Sequence, residues 1–237
     1  MAGKQTLAID IGGTGLKASV LNEAGKMVTE KVRVDTPHPL TSKLLVETLA
    51  KLVEPLPRFQ RISVGFPGLI RHGKIVTAPN LGTDSFAGFD LGKALSARLK
   101  APVRAVNDAD MQGLAAIRGK GVEMVITLGT GFGTALFNDG KLQTHLEIAH
   151  HPFKKGRTYD QMLGDKNRKR IGKKKWIRLV KEAIVNMRTM VNFNRLYVGG
   201  GNAKRIDFKL PKDVSLVDNA AGILGGIKLW DDILEDV

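Results

Sequence analysis

The chain of 237 residues contains no cysteine, only two tryptophans and two tyrosines, and no long apolar run. Without cysteine there is no disulfide, no thiolate metal site and no cysteine nucleophile. No segment approaches the roughly 20 apolar residues that cross a bilayer, and the amino terminus lacks the apolar core of a signal peptide. These absences exclude a disulfide scaffold and a membrane span, and they make the cytoplasm the expected location.

Acidic residues are scarce relative to basic ones, and the imbalance is local. The chain carries 37 Lys and Arg against 23 Asp and Glu, a net charge of +14. Residues 154–181 alone hold twelve Lys and Arg and two acids, a net charge of +10. Such a field would concentrate polyanions, although a solvated loop and helix face is the simpler alternative. The hydrophobic content of 43% is otherwise typical of a globular protein with one large domain or two small lobes.

One short pattern occurs twice, at residues 9–20 and 126–137. Each copy is an apolar β-like run, a turn of glycine and threonine, and a second β-like run. Glycine permits positive φ and removes the Cβ that would block a close approach, and successive N–H groups in such a turn can bind an anion. Two copies predict a duplicated architecture that binds a phosphate chain from both sides. The turn residues are Gly12, Gly13, Thr14 and Gly15 in the first copy, and Gly129, Thr130, Gly131 and Gly133 in the second.

Two other phosphate-binding motifs do not fit these turns. A Walker A loop is excluded because no Gly-Lys-Ser/Thr is present. A dinucleotide fingerprint opens a helix, whereas the first turn is followed by a β-like run at residues 17–21.

The order of predicted elements restarts in the second half of the chain. Strands are predicted at residues 7–11, 16–21, 30–34, 61–66, 75–77, 103–107, 124–128, 134–138 and 196–198. Helices are predicted at residues 41–53, 91–99, 109–118, around 176–191, and at 220–234. This order predicts two related α/β lobes with a cleft between them, residues 1–107 and 108–237, with the closing helix free to pack on the first lobe.

Seven short motifs follow one another along the chain. They are DIGGTG at 10–15, GFPG at 65–68, APN at 78–80, VNDAD at 106–110, LGTGFG at 128–133, ExxH at 147–150 and GGG at 199–201. In this order they resemble the repressor/ORF/kinase (ROK) family. The segments at 32–37 and 107–110 are most similar to its bacterial branch of polyphosphate glucokinases and glucomannokinases.

This resemblance implies the fold and the activity. The expected fold is the two-lobed, actin-like (ribonuclease H-like) α/β fold of sugar kinases, with an interlobe cleft. The expected activity is phosphorylation of glucose or a close hexose at its 6-hydroxyl, with inorganic polyphosphate, ATP or both as donor. A homodimer is also implied.

Asp108 is the expected general base. It follows a predicted strand and starts a predicted helix, which places it at the strand end where α/β sheets bind ligands. A carboxylate there can accept the proton of an attacking sugar hydroxyl, an effect worth ~10² to 10⁴ in rate. Aspartate is also a preferred helix cap, so the residues alone leave both roles open, and the resemblance favours catalysis. Asp110 is expected to be a charge at the helix start.

The resemblance assigns the sugar contacts to residues that can fix donors and acceptors around each hydroxyl. They are Gly68, Asn80, Asn107, Asp108, Glu147, His150 and Asp160. Taken alone, Glu147 and His150 could be ordinary surface residues, although a spacing of i, i+3 would place them on one helical face. Two departures from the family stand out: Ala149 replaces a glycine, and Asp160 replaces a longer glutamate. The cysteine cluster of zinc-containing members is missing, so no zinc is expected.

The resemblance assigns donor binding to the two glycine turns and to a third glycine run. The third run is Gly199, Gly200 and Gly201, and Lys17 is added to the first turn. Asp10 is expected to hold Mg²⁺ through water, which suits an ion that retains its hydration shell. From the residues alone, Lys17 could be a strand-surface lysine, and the third run could be only a tight turn.

Two other functions stay open at this point. One is an ATP-dependent kinase for mannose, fructose or an N-acetylated hexosamine. The other is a sugar-responsive regulator that binds nucleic acid, since the family includes repressors. The first strand at residue 7 leaves no room for an amino-terminal helix-turn-helix, and no RNA-binding motif is present. No membrane and no specific nucleic acid are therefore expected as partners.

Overall fold

The structure is a computed structural model that describes residues 3–217 and 221–231. Within these residues the chain forms two compact α/β units. The first unit comprises residues 3–115 together with 221–231, and the second comprises residues 116–217. No helix in the described ranges is long and apolar enough to cross a bilayer.

The first unit is built on a mixed five-stranded sheet with the order β3-β2-β1-β4-β7. Its strands are β1 (Thr6–Ile11), β2 (Leu16–Leu21), β3 (Val32–Val34), β4 (Arg61–Phe66), β5 (Ile70–Arg71), β6 (Lys74–Ile75) and β7 (Val103–Asn107). Its helices are α1 (Ser42–Val53), α2 (Leu91–Leu99) and α3 (Asp108–Ala116). Strands β1, β4 and β7 run parallel, β2 and β3 are antiparallel, and β5 and β6 form a separate hairpin.

The cap and the buried face of helix α1 are those that its sequence predicts. Thr41 caps α1, since its side chain accepts a hydrogen bond from the N–H of Leu44. Leu45 and Leu49 lie one turn apart on the buried face of α1. The central strand β1 is almost wholly buried, as expected of a strand that is covered on both sheet faces.

The second unit repeats this plan with a five-stranded sheet in the order β10-β9-β8-β13-β14. Its strands are β8 (Val122–Leu128), β9 (Phe132–Asn138), β10 (Lys141–Leu142), β11 (Pro152–Lys154), β12 (Arg157–Thr158), β13 (Arg195–Gly199) and β14 (Val214–Leu216). Its helices are α4 (Tyr159–Leu163), α5 (Asp165–Ile171) and α6 (Lys173–Val191). In both sheets an antiparallel hairpin precedes the parallel strands, and each glycine turn joins the two strands of that hairpin.

The closing helix is shorter than the sequence predicts. Helix α7 spans only Ala221–Leu224, and a 3₁₀ turn at Gly225–Trp230 follows it; residues 220 and 232–234 of the predicted helix lie outside the described residues. A Cβ on Gly225 would overlap the carbonyl oxygen of Met111 on α3, and one on Gly226 would lie 3.0 Å from Ser63 on β4. Both glycines therefore allow this segment to pack closely on the first unit, where helix propensity is outweighed by packing.

The division between the units also differs from the predicted boundary at residues 107 and 108. Helix α3 stays with the first unit up to Ala115. The reason is that α3 packs against both the strands and the terminal segment, since Met111 contacts Gly65 on β4 as well as Gly225.

Trp230 anchors the terminal segment to the first sheet. Its Nε1 donates a hydrogen bond of 2.9 Å to Ser63 Oγ, which donates in turn to the carbonyl oxygen of Gly226 at 2.5 Å. The guanidinium groups of Arg104 and Arg61 lie 4.8 and 5.3 Å from the centre of the indole ring. Cation–π contacts of this kind add to the packing of the ring.

Glu123 organises the start of β8 in the second unit. It is fully buried, and its oxygens accept hydrogen bonds from the N–H groups of Arg118 (3.0 Å), Gly119 (2.6 Å) and Lys120 (3.1 Å) and from the hydroxyl of Tyr197 (2.7 Å). Burial raises the pKa of Glu123, but the hydrogen bonds from Tyr197 and the three amides outweigh it, so the pKa is lower than usual. Burial and the same contact raise the pKa of Tyr197 to about 12.

Replacement of Glu123 by leucine should destabilise the second unit by about 3 kcal/mol, because the buried Tyr197 hydroxyl and three part-buried amides lose their acceptor. Tyr197→Phe is the matched control, since it removes a single hydrogen bond and should cost about 1 kcal/mol. Urea unfolding at pH 7 measures the free energy of unfolding of both variants.

The stability that Glu123 contributes should depend on pH. Because its pKa is lowered by folding, the contribution is present above the unfolded pKa of about 4.3 and is lost as the pH falls through the folded pKa. The difference in unfolding free energy between wild type and Glu123→Leu should therefore become smaller as the pH is lowered. Equal losses of stability at pH 7 in Glu123→Leu and Tyr197→Phe would contradict the role of Glu123 as a shared acceptor.

Candidate active site

Three parallel strands of the first sheet end at one edge, and two carboxylates lie there. Asp10 on β1 pairs with Gly65 on β4, which pairs with Val106 on β7. Asp108 follows Val106 by two residues, and a Cβ on Gly65 would lie 3.3 Å from the Asp108 Cα. Because ligands of α/β sheets bind at the carboxyl ends of the strands, Asp10 and Asp108 occupy the edge where chemistry is expected.

Asn107 caps helix α3, a role that the sequence alone would also allow for Asp108. Asn107 precedes α3, and its Oδ1 accepts a hydrogen bond of 2.8 Å from the N–H of Ala109. Asp108 is the first helical residue and half-buried, and its Oδ1 lies 2.9 Å from the same N–H. Since asparagine is as good a cap as aspartate, capping does not account for a carboxylate at position 108. Asn107 also donates from Nδ2 to the Gly68 carbonyl oxygen at 3.0 Å, so it braces the site, and its sugar contact stays a prediction.

Gly68 and Asn80 lie on the loops that flank this edge. A Cβ on Gly68 would overlap the carbonyl oxygen of Thr77, so only glycine fits this position. Asn80 is exposed, and its Cβ lies 3.7 Å from where a Cβ of Gly13 would stand. The structure thus brings Asn80 next to the first glycine turn, while the contacts of Gly68 and Asn80 with a sugar stay predictions.

The first glycine turn is closed by its own backbone and held from outside. The N–H of Gly12 donates to the carbonyl oxygen of Gly15 at 3.1 Å. Thr36 Oγ donates to the Gly12 carbonyl oxygen at 2.6 Å, and His38 Nε2 lies 3.1 Å from the Gly13 carbonyl oxygen. Thr36 and His38 are supporting residues that the sequence analysis missed. The bonds from Thr36 and His38 use carbonyl oxygens of the turn and not its N–H groups, which are the groups that an anion would need.

The glycines of the first turn are used for their small size rather than for positive φ, and Gly12 is the one that fits against backbone. None of Gly12, Gly13 and Gly15 has a positive φ. A Cβ on Gly12 would lie 3.0 Å from the Gly15 carbonyl oxygen, and one on Gly15 would lie 2.9 Å from Arg33 Nε. The absence of Cβ, and not backbone freedom, is what this turn uses.

Lys17 is joined to Asp10 across the first hairpin. The two residues are directly opposed in the β1–β2 register, and Lys17 Nζ lies 2.9 Å from Asp10 Oδ2. Their side chains are 35% and 21% exposed, so both remain accessible. A charge pair at the base of a phosphate-binding turn can contribute one cation and one metal-binding carboxylate.

The second glycine turn is closed in the same way and is braced by Asp160. The N–H of Gly129 donates to the carbonyl oxygen of Gly131 at 3.1 Å. Asp160 Oδ1 accepts a hydrogen bond of 2.9 Å from the N–H of Phe132, and a Cβ on Gly131 would overlap this oxygen. The sequence analysis assigned Asp160 to the sugar; in the structure one of its oxygens accepts a hydrogen bond from the second glycine turn, and its contact with a sugar stays a prediction.

The third glycine run packs on the second turn. Gly199 pairs in parallel with Thr127, so the run lies at the same sheet edge as the turn after β8. Gly200 has a φ of +84°, and a Cβ there would overlap the backbone of Leu128. Here glycine is required both for its positive φ and for its missing side chain.

Two polar residues that the sequence analysis missed hold the second turn in place. Asn202 Nδ2 donates to the Gly129 carbonyl oxygen at 3.1 Å and to Asp165 Oδ1 at 3.2 Å. The N–H of Asp165 donates to the same Gly129 oxygen at 3.0 Å. The Lys169 ammonium and the Arg168 guanidinium beside Asp165 hold the pKa of this carboxyl well below its usual range. Asn202 and Gly129 are 73 residues apart, so no local pattern marks their contact.

Glu147 and His150 lie on one face, as predicted, although the turn is 3₁₀ rather than α. The 3₁₀ turn spans Ile148–His150, and residues three apart are eclipsed in such a turn. Glu147 Oε2 lies 3.7 Å from His150 Nε2, and the side chains are 30% and 47% exposed. Thr134 Oγ donates to the Leu146 carbonyl oxygen at 3.0 Å, which ties this segment to β9. Their contact with a sugar stays a prediction.

The chain belongs to the ROK family, whose family model matches residues 6–152. The family match and the relatives described next identify the protein as a sugar kinase, a phosphotransferase, and they confirm the predicted family and the actin-like α/β fold class. The polyphosphate glucokinase of Mycobacterium leprae is 28% identical over 234 residues, covering 92% of this chain and 72% of that protein. The crystal structure of an inorganic polyphosphate/ATP-glucomannokinase from Arthrobacter superposes with a TM-score of 0.86 at 31% identity, covering 96% of this chain and 98% of the other. An N-acetylmannosamine kinase of Escherichia coli is 35% identical over 144 residues, covering 59% of this chain and 49% of that protein.

Proposed function

We propose that the protein transfers a phosphoryl group from inorganic polyphosphate, and also from ATP, to the 6-hydroxyl of glucose or a close hexose. The observation that carries this proposal is the similarity to the Arthrobacter polyphosphate/ATP-glucomannokinase, which extends over 96% of the chain. The Mycobacterium leprae polyphosphate glucokinase supports the same donor and sugar over 92% of the chain.

Asp108 would act as the general base of this transfer. The sugar 6-oxygen attacks the terminal phosphorus of the donor, and its proton passes to the Asp108 carboxylate. A new P–O bond forms to the sugar, the bridging P–O bond of the donor breaks, and the donor leaves one phosphate shorter. The support is the position of Asp108 at the carboxyl edge of the sheet, with capping already provided by Asn107.

The glycine turns and Lys17 would bind and orient the donor. Phosphoryl transfer depends mainly on positioning and on neutralisation of the charge on the transferred group. Backbone N–H groups of a braced turn are preorganised for this, because their geometry does not have to change when the phosphate binds.

Asp10 fits a hydrated Mg²⁺ better than a metal enclosed by protein. Mg²⁺ usually binds through one or two carboxylates together with donor phosphates and several waters. Asp10 provides one accessible carboxylate, and residues 3–217 and 221–231 contain no cluster of three or more His, Asp or Glu side chains. When bound, the ion would offset negative charge on the donor phosphates.

A different hexose is the second candidate acceptor. It is favoured by the similarity to the Escherichia coli N-acetylmannosamine kinase, which is 35% identical but matches only 59% of this chain. The bracing role of Asp160 bears on the same question, because a sugar contact that the family places at this position would have to share the carboxylate with Phe132.

A comparison of donors and acceptors tests both parts of the proposal. Purified protein with Mg²⁺ is given glucose, mannose, fructose or N-acetylmannosamine, each with long-chain polyphosphate or with ATP, and kcat/KM is measured for every pair. We expect glucose with polyphosphate to give the largest value. Turnover with ATP alone would overturn the donor assignment, and a larger value for N-acetylmannosamine would overturn the acceptor.

A further inference from the structure

The guanidinium of Arg33 on β3 lies against Gly15, the last residue of the first glycine turn. A Cβ on Gly15 would stand 2.9 Å from Arg33 Nε and 3.2 Å from Arg33 Nη2, so the guanidinium occupies the space that a side chain at this position would need. Gly15 is buried although it belongs to a turn. Because glycine has no side chain, a cation can approach the backbone of the turn at this point.

Arg33 also completes a row of charged residues across the first three strands. Asp10 on β1 is directly opposed to Lys17 on β2, and Lys17 is directly opposed to Arg33 on β3. Directly opposed residues of antiparallel strands project from the same face of the sheet. Their neighbours Ile11 and Leu16 project from the other face and are fully buried in the apolar core. One face of the sheet therefore presents three charged groups in a line beside the turn.

The charge of this row is positive overall. Lys17 and Asp10 are 2.9 Å apart and offset each other. Arg33 has an acidic partner in Asp35, whose Oδ1 lies 3.0 Å from Arg33 Nη2. The two side chains are 57% and 87% exposed, and an ion pair so open to water adds little stability. Arg33 can therefore exchange Asp35 for a more highly charged anion at small cost.

The segment that follows Arg33 is fixed to the turn by hydrogen bonds. Thr36 is buried and donates from its Oγ to the Gly12 carbonyl oxygen at 2.6 Å. His38 Nε2 lies 3.1 Å from the Gly13 carbonyl oxygen. Together with the pairing of β3 and β2, these contacts hold the backbone of Arg33 in place beside the turn. Only the outer part of the Arg33 side chain has to move when a ligand binds.

The hydrogen-bonding capacity of Arg33 matches a phosphate group. A guanidinium carries five N–H donors, and within residues 3–217 and 221–231 its hydrogen bond is the one from Nη2 to Asp35. The remaining donors can bind two phosphate oxygens at once, which is the bidentate geometry that distinguishes arginine from lysine. A phosphate bound by the N–H groups of the turn would lie next to Gly15, against which this guanidinium packs.

We propose that Arg33 is a further donor-binding residue, whose guanidinium contacts the phosphate group that the first glycine turn and Lys17 bind. This inference rests on the proposed phosphoryl transfer. The contact is with a phosphate, and not with a nucleoside or with the distant part of a long chain, so it should serve polyphosphate and ATP alike. The fork of N–H groups would orient the phosphate as well as neutralise its charge.

The test compares variants that separate the guanidinium from its charge and from its ion pair. Arg33→Gln removes the charge and the fork, and Arg33→Lys keeps the charge alone. Asp35→Asn breaks the same ion pair but leaves Arg33 in place. Arg98→Gln is the matched control, because Arg98 is also an exposed arginine of the first unit, with Glu47 as its partner at 3.5 Å. For each variant, kcat/KM is measured for long-chain polyphosphate and for ATP, KM is measured for the hexose, and urea unfolding verifies the fold.

Arg33→Gln should lower kcat/KM for both donors by about 10- to 100-fold, the usual effect of losing a hydrogen bond to a charged group. KM for the hexose should stay within about twofold of wild type, since the sugar does not contact Arg33, and Arg33→Lys should give an intermediate loss. Asp35→Asn and Arg98→Gln should both stay within about twofold of wild type for either donor.

Three results would overturn the assignment of Arg33. A loss in Asp35→Asn as large as that in Arg33→Gln would show that the ion pair only braces β3. A loss confined to one of two donors that wild type uses would mean that Arg33 does not contact a phosphate common to both. An equal loss in Arg98→Gln would reduce the effect to net charge.

Failure of the proposed reaction is distinguishable from failure of Arg33 as a phosphate-binding residue. Inorganic tripolyphosphate contains the phosphate chain common to both donors, and its binding with Mg²⁺, measured by isothermal titration calorimetry, requires no turnover. If wild type phosphorylates no hexose but binds tripolyphosphate, a Kd raised about tenfold or more in Arg33→Gln and unchanged in Arg98→Gln upholds Arg33 while the proposed function is lost. Equal affinity of Arg33→Gln and wild type, or no binding by wild type, overturns Arg33.

Discussion

Replacement of Asp108 by asparagine should lower kcat for hexose phosphorylation by about 10² to 10⁴-fold, the usual contribution of a general base. Asparagine has the same shape and keeps the oxygen near the Ala109 N–H, but it cannot accept the proton of the attacking hydroxyl. The fold should be unchanged because Asn107 caps α3. Steady-state kinetics with the best donor and acceptor measure the loss, and urea unfolding verifies the fold.

Asp90→Asn is the matched control for this substitution. Asp90 also stands at a helix start, and its Oδ1 accepts a hydrogen bond of 2.8 Å from the N–H of Lys93. Asparagine preserves this cap, so activity and stability should both be close to wild type. A folded Asp108→Asn protein with kcat within about tenfold of wild type would remove Asp108 as the general base.

Replacement of Gly131 by alanine should reduce kcat/KM for the donor by about 10²-fold, the effect of a misplacement near 1 Å in a positioned site. The new methyl group would overlap Asp160 Oδ1, which holds the N–H of Phe132. The carboxylate must move, and the second turn moves with it. We expect a loss of stability of about 1–3 kcal/mol as well, as for other overpacked positions.

Two further variants isolate the cause. A Cβ on Gly129, in the same turn, meets nothing within 4 Å, so Gly129→Ala should change the stability by less than about 0.5 kcal/mol. In the double variant Gly131→Ala/Asp160→Ala the overlap is gone, so the double variant should be little worse than Asp160→Ala alone. If the losses of kcat/KM in the two single variants add in the double variant, the overlap with Asp160 is not the cause of the Gly131→Ala effect. If Asp160→Asn raises KM for the hexose and leaves KM for the donor unchanged, Asp160 contacts the sugar.

The strands that carry the candidate site were predictable because their signals are local. Predicted bounds at residues 61–66, 91–99 and 103–107 coincide with β4, α2 and β7. Strands β4 and β7 are rich in apolar residues and end before a proline or a polar helix start, and α2 has leucines at a four-residue spacing after its cap Asp90. The edge position of Asp10 and Asp108 follows directly from where these strands end.

The contacts that hold the turns were not predictable because they join distant parts of the chain. Asn202 contacts Gly129 across 73 residues, and Tyr197 contacts Glu123 across 74. The bracing contact of Asp160 was missed for the same reason, since its partner Phe132 lies 28 residues away, and its contact with a sugar stays a prediction. The predicted length of the closing helix was wrong for a different reason. The close packing of Gly225 and Gly226 on the rest of the first unit outweighs the helical pattern of the segment.

The two tryptophans give each unit its own intrinsic fluorophore. Trp176 is fully buried in the second unit, and Trp230 lies beside Arg61 and Arg104 in the first. Tryptophan fluorescence of a Trp176→Phe protein would come from the first unit alone, and that of a Trp230→Phe protein from the second alone. Overlaid denaturation curves of the two would mean a single cooperative transition, whereas separate midpoints would assign a stability to each half of the molecule without any added label.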